Sequence, residues 1–240
     1  MFPRATLVVL ALFASASAWA AEKHNPIVVE LFTSQGCSSC PAADAFLDEL
    51  NHRENILALG FHVDYWDYLG WKDTFASPLT TARQYSYKKA LGARTVYTPQ
   101  MVIGGTTGVI GSRRNEVADA LDEAMPPMLG VEISREREGM LTVGLPVVDS
   151  MAGKADVWIV MYHSTRKQQI ERGENAGLLA TYINVVSEYH RLGGWNGQAA
   201  TFDLDIRKLR AEGRDRAAVI VQRAGAGEIL GAVEIDLDMI

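Results

Sequence analysis

The sequence predicts an α/β protein in two parts: an α/β domain over residues 25–126, then a mainly β domain, a β-sandwich, over residues 128–240. Three observations carry this. A strand, a helix and a second strand succeed one another between Ile27 and Val63, which implies a right-handed βαβ unit with a parallel pair. Pro126-Pro127 cannot continue the helix before it, because proline lacks the amide donor and its ring clashes with the preceding turn, so a boundary falls there. Beyond it the apolar residues alternate, as at Leu141, Val143, Leu145 and Val147, the period of a half-buried strand.

Residues 1–20 read as a secretory signal peptide. Arg4 supplies the positive start, Thr6 to Ala14 the apolar stretch, and Ala18-Trp19-Ala20 the small residues before a cut. An uncleaved anchor over Ala5 to Ala21 would be short for a bilayer. The expected location is therefore periplasmic or secreted, where disulfides persist, with no stable membrane insertion after cleavage. The 240 residues carry 23 basic and 29 acidic side chains, a net charge of −6, and no long basic run. Nucleic acid is excluded as a main partner on that ground.

The elements follow in order. Ile27 to Phe32 is a buried strand, and Thr33-Ser34-Gln35-Gly36 ends it. Pro41 to Arg53 has helical spacing, with Phe46, Leu47 and Leu50 on one side. Ile56 to Val63 is the second strand, followed by the aromatic, turn-rich YWDYLGWKDTF. Ser77-Pro78 opens a helix reaching Leu91, as N-cap and first helical residue. Gln100 to Ile103 and Thr107 to Ile110 flank Gly104-Gly105 as a hairpin, and Asn115 to Met125 closes the domain as an amphipathic helix. Strands are then expected at Val131 to Ser134, Leu141 to Val148, Val157 to His163, Tyr182 to Glu188, Ala218 to Gln222 and Ile229 to Leu237, with a short helix near Asp205 to Ala211.

Cys37-Ser38-Ser39-Cys40 carries the chemistry. Placed between a strand and a helix, Cys37 would meet unpaired N–H groups and the positive end of the helix dipole, which favour the thiolate. A second thiol at i+3 lies on the same side of the first turn and can resolve a mixed disulfide. Cys37 is expected to be the exposed, ionised attacker and Cys40 the buried resolver. Burial of Cys37, or a trans peptide before Pro99 remote from it, would tell against the enzymatic account. A purely structural role is poor, since closing so short a loop constrains the unfolded chain by only about 2 kcal/mol. Two thiolates also suit copper(I), with His62 or Met101 as third donors.

Thr98-Pro99 heads the Gln100 to Ile103 strand, where a thioredoxin-like layout holds a cis-proline loop against the cysteine pair. Thr98 would there offer backbone groups to an extended peptide.

VELFTSQGCSSCPAAD (Val29 to Asp44), FHVDYWDYLGWKD (Phe61 to Asp73) and VYTPQMVIGG (Val96 to Gly105) resemble the secreted thioredoxin-like proteins of the domain-of-unknown-function family 1223. RGENAG (Arg172 to Gly177) and INVVSEYHRLGGWNG (Ile183 to Gly197) are similar to that family's C-terminal part. The resemblance implies a thioredoxin-like domain followed by the mainly β C-terminal domain, with Cys37, Cys40 and Pro99 at the redox-site positions. It implies no substrate. Ser38-Ser39 stands where thioredoxins carry Gly-Pro.

Supporting residues are weighed on position. Glu30, on the first strand, would carry protons to and from the resolving thiol if burial raised its pKa. Tyr65, Trp66 and Trp71 follow the second strand at the edge that bears the cysteines, where they would either bind substrate or cover the loop. Arg166, Lys167 and Arg172 read as a solvated basic loop. The C-terminal part is expected to position a partner or shield the thiols. The expected function is an exported thiol–disulfide oxidoreductase, without a cofactor, acting on a protein or small-molecule thiol or disulfide. A copper(I) module on the same fold and an interaction module are the alternatives.

Overall fold

β1 (Ile27–Thr33) and β2 (Ile56–His62) are buried along their whole length and pair in parallel, the arrangement that continuous apolar runs require. This computed structural model describes residues 25–149 and 153–240, so the expected signal peptide lies outside the described residues. α1 (Pro41–Asn51) connects the two strands, opening on a proline whose missing N–H would be unpaired in any case. Its Ala43, Phe46, Leu47 and Leu50 pack on Val29, Leu31, Ile56 and Ala58. The other face of the same strands receives α2 (Pro78–Ala90), where Tyr87 meets Phe32, Leu57, Leu59 and Phe61. Ser77 begins α2 with a reciprocal capping box to Thr80. β3 (Gln100–Ile103) runs antiparallel to β1 and turns into β4 (Thr107–Ile110). α3 (Arg114–Glu123) returns to the α1 face through Val117, Ala120 and Leu121.

The second half corrects the expectation of a free-standing sandwich. Its strands are β5 (Glu132–Arg137), β6 (Met140–Leu145), β7 (Ala155–Gln169), β8 (Leu179–Trp195), β9 (Ala200–Asp205), β10 (Arg216–Arg223) and β11 (Ile229–Asp236). Four of them extend the first sheet, giving one eight-stranded mixed sheet in the order β11-β10-β7-β8-β2-β1-β3-β4. The join is parallel, at Gly60 of β2 and Val185 of β8. Gly60 permits it, because a Cβ there would lie 3.2 Å from the Ile183 carbonyl oxygen. The chain after Pro126-Pro127 first builds β5 and β6 outside this sheet and then returns to it with β7.

A two-layer arrangement survives locally. β5, β6 and β9 form a three-stranded antiparallel sheet, and its Leu141, Val143, Leu145 and Leu204 pack on Val157, Ile159, Val219 and Ile235 of the large sheet. The alternation read at Leu141 to Leu145 is the buried face of β6. β9 was not expected, and α4 (Ile206–Leu209) is shorter than the helix that was. β7 and β8 run far beyond their expected ends, as 15 and 17 residues, and form a long hairpin. Among the described residues no helix is long and apolar enough to cross a membrane.

Candidate functional site

The loop after β1 doubles back through Cys37 N–H donating to Ser34 O (3.1 Å) and Cys40 N–H donating to Cys37 O (3.2 Å). Cys40 is the N-cap of α1, and a disulfide joins it to Cys37 across a Cα separation of 5.4 Å. Cys37 therefore stands one turn ahead of the helix rather than inside it. The disulfide sulfur has no proton, so the Ser39 hydroxyl, 3.4 Å from Cys37 Sγ, is the donor of that pair. Cys37 is 4% exposed and Cys40 0%, which corrects the expectation of an exposed attacking sulfur. Only Ser38 and Ser39 of the motif face solvent.

Two elements provide the cover. Trp66 lies on Gly36, where an added Cβ would come within 3.3 Å of the Trp66 Cβ. The Trp66 indole N–H donates to Thr98 Oγ1 at 2.7 Å, so one side chain ties the cysteine loop to the Thr98-Pro99 loop, whose peptide bond is cis. Trp71 donates its indole N–H to Gln35 Oε1 at 2.7 Å. Tyr65 turns inward against the α2-side core, and burial pushes its pKa up to about 12. Tyr68, stacked on Trp66, is the exposed ring of the loop. Trp66 and Trp71 thus cover and anchor the cysteine loop.

The second element is the tip of the β7–β8 hairpin. Asn175 donates its side-chain N–H groups to Gln35 O (2.9 Å) and Cys37 O (3.0 Å), and Ser38 N–H donates to the Glu174 carboxylate at 3.3 Å. These residues lie in the RGENAG stretch, whose glycines signal a turn but whose target no local pattern reveals.

The buried titratable groups divide by sheet face. Glu30 shares its face with Val28 and Phe32, opposite α1, and both its carboxylate oxygens accept from Arg83. It is on the wrong face to serve Cys40. On the α1 face, His62 Nδ1 pairs with Asp73 at 2.8 Å, and Asp73 also accepts the N–H groups of Gln35 (2.7 Å) and Phe75 (2.9 Å). His62 Nε2 lacks a hydrogen-bond partner and lines a small cavity together with Thr33 and Asp44. Asp44 lies one turn beyond Cys40 on α1, and burial pushes its pKa up to about 7 against the opposing pull of His62. No sequence signal singled out Asp44, Asp73, Glu174 or Asn175.

Burial alone would favour neutral His62, but the Asp73 carboxylate outweighs it and raises the imidazole pKa; Asp73, penalised by burial, is drawn below the ordinary carboxylate range by His62. The pair therefore stabilises fully between the ordinary carboxyl value of 3.8 and the ordinary histidine value of 6.5. It fades as pH rises through the raised histidine pKa, and again as pH falls through the depressed carboxyl pKa. His62→Gln is expected to lower stability near pH 6 by about 2 kcal/mol and to remove the upper limb, as measured by urea denaturation across pH.

Met101 is enclosed in the apolar core with Leu31 and Ala43, and His62 commits Nδ1 to Asp73. Among the described residues no three His, Cys, Asp or Glu side chains gather as a metal-holding group, so the copper reading has no assembled donor set.

Fold and site define a mixed α/β protein whose close cysteine pair is joined as a disulfide at the head of a helix and covered by a distant hairpin. The chain belongs to the DUF1223 family, described as "Protein of unknown function", whose profile matches residues 28–222. It is similar to protein AGR_C_4864 from Agrobacterium tumefaciens, known from a crystal structure, at 31% identity and a TM-score of 0.73, over 90% of this chain and 96% of that one. HBP35 of Porphyromonas gingivalis is similar in fold, at 13% identity and a TM-score of 0.54, over 91% of this chain and 77% of the other. No curated protein matches the chain.

Proposed function

We propose that the protein is an exported thiol–disulfide oxidoreductase and that residues 25–126 form a thioredoxin-like unit. The observation that carries this reading is the Cys37–Cys40 disulfide set between β1 and the first turn of α1. Such a pair adds little stability through so short a loop, while its thiols are spaced to exchange. In reduction, an incoming thiolate attacks Cys37 Sγ, the Cys37–Cys40 bond breaks, and Cys40 leaves as a thiolate. Asp44, one turn along the same helix face, supplies the proton that neutralises Cys40, the role first looked for at Glu30. A second thiol from the reductant then releases Cys37, and the reductant departs as a disulfide. Oxidation of a substrate is the same path reversed. Thr98 and Pro99 flank the reacting loop, with Trp66 fixing their distance from it.

Equilibration in glutathione redox buffers tests the reading. The expected result is reversible conversion of Cys37 and Cys40 between dithiol and disulfide, followed by thiol alkylation and mass measurement. A pair that stays oxidised under every poise overturns it.

A further inference from the structure

Part of the cover over the cysteine loop comes from the far end of the chain. Beyond the contact of Val185 with β2, the β7–β8 hairpin continues as a two-stranded arm in which Thr165 to Gln169 pairs with Ile183 to Leu179. Its turn is closed by Ile170 N–H donating to Leu178 O (2.9 Å) and Gly177 N–H donating to Ile170 O (2.8 Å). Thr74 Oγ1 donating to Gln168 and Arg166 over the Phe75 ring hold the arm to the loop after β2. Gly173 seats the tip: its φ is +80°, and a Cβ there would lie 3.1 Å from the Trp71 Cβ.

The tip meets the backbone of the cysteine loop through a few polar contacts. Asn175 takes the carbonyls of Gln35 and Cys37, and Glu174 takes the N–H of Ser38. These are backbone groups to which an extended peptide could add as a strand beside the cysteines. The tip therefore occupies a peptide's place. Arg172, Glu174, Ala176, Gly177 and Leu178 are exposed, so the tip brings little apolar surface into this contact and belongs to the part of the fold that opens at low free energy. Ser38 and Ser39 are exposed and Cys37 keeps 4% exposure, so a small thiol approaching from their edge needs no backbone pairing.

We propose that the hairpin tip is a gate that sets the substrate class of the cysteine pair. Closed, it admits low-molecular-weight thiols and disulfides and turns away protein chains, with Asn175 as the specificity-determining residue. This rests on the redox reading above. The chemistry is unchanged: a dithiol gives two electrons and two protons, Cys37–Cys40 becomes a dithiol, and the donor becomes a disulfide.

The test compares two reductants on the full chain, dithiothreitol and a reduced thioredoxin, by timed acid quench and alkylation. Asn175→Ala is expected to raise the rate constant with reduced thioredoxin about tenfold, the scale set by losing two hydrogen bonds, while dithiothreitol changes by less than about twofold. Asn175→Asp keeps the side-chain shape, removes both donors and sets a carboxylate against two carbonyls, so it should act in the same direction. Rate constants that stay unchanged with both reductants, or rise by one common factor, overturn the gate and leave the redox reading intact. A disulfide that neither reductant opens in any of the three proteins overturns the redox reading and the gate with it.

Discussion

Glu30→Gln is expected to lower the unfolding free energy by about 3–5 kcal/mol, the range for stranding one member of a buried ion pair. Arg83 is 5% exposed, and the carboxylate that it holds by hydrogen bonds is that of Glu30. Its Nε donates to both Glu30 carboxylate oxygens, and its Nη2 reaches Glu30, the Tyr87 hydroxyl and Gln222 Oε1. The rings of Phe61, Tyr87, Trp158 and Tyr189 lie 5.2–6.0 Å from the guanidinium carbon. Those rings offer attraction to the cation but no anionic partner, and arginine does not escape by losing its proton. Burial disfavours the charge, yet Glu30 holds the arginine pKa above its usual value, so removing Glu30 leaves desolvation unopposed. The double variant Glu30→Leu, Arg83→Met should regain most of the loss, because replacing both members with apolar groups is often neutral. Guanidinium denaturation of the three proteins measures this. A single variant within about 1 kcal/mol of the parent would show that the pair is not the internal keystone of the α2 face. Neither variant should alter the redox poise, since the pair and the cysteines occupy opposite faces of the sheet.

That last point shows what the residues disclose and what they withhold. The β1-α1-β2 unit, the capped α2 and the β3–β4 hairpin are legible because local period and end signals agree on each. The face of Glu30 is legible only in part. Period two groups it with Val28 and Phe32 and separates it from Val29 and Leu31, but which group meets α1 depends on tertiary packing. The joining of the two halves is not legible at all. An alternating strand reads the same whether it extends an old sheet or begins a new one, and the deciding contact is the absence of a side chain at Gly60. The arm fails for another reason. Ser164 to Gln169 is polar, with no alternation to mark it, and it is a strand because it pairs with β8. At the site, the cysteines and Pro99 stood out by type and spacing. Asn175 and Glu174 are ordinary turn residues until the arm delivers them to Gln35, Cys37 and Ser38. Asp44 was hidden by its plausibility, since a carboxylate in the first turn of a helix is favourable and common.

Asp44→Asn is expected to slow reductive opening of Cys37–Cys40 by about 100-fold below pH 7, the lower end of what a positioned acid contributes. The form that donates is the protonated one, and burial raises the Asp44 pKa to about 7, so this acid is available across mildly acidic and neutral conditions. The reducing thiol has its own ionisation, which favours attack as pH rises. Dividing the parent rate constant by that of the variant cancels it. The ratio should be large below pH 7 and decline toward unity above it, with its midpoint near the Asp44 pKa. A ratio that is flat with pH would remove Asp44 from the reaction. Stability provides an independent sign. A carboxyl whose folded pKa lies above its unfolded value of 3.8 binds more protons folded than unfolded between the two, so it contributes a progressive loss of stability as pH rises from 3.8 to about 7. Asparagine has no such loss, and the variant should be the more stable protein at pH 8 while being the slower one at pH 6. A residue that only supported the fold would move both quantities the same way. Opposite movement is the signature of a group held at the expense of stability for the proton it delivers.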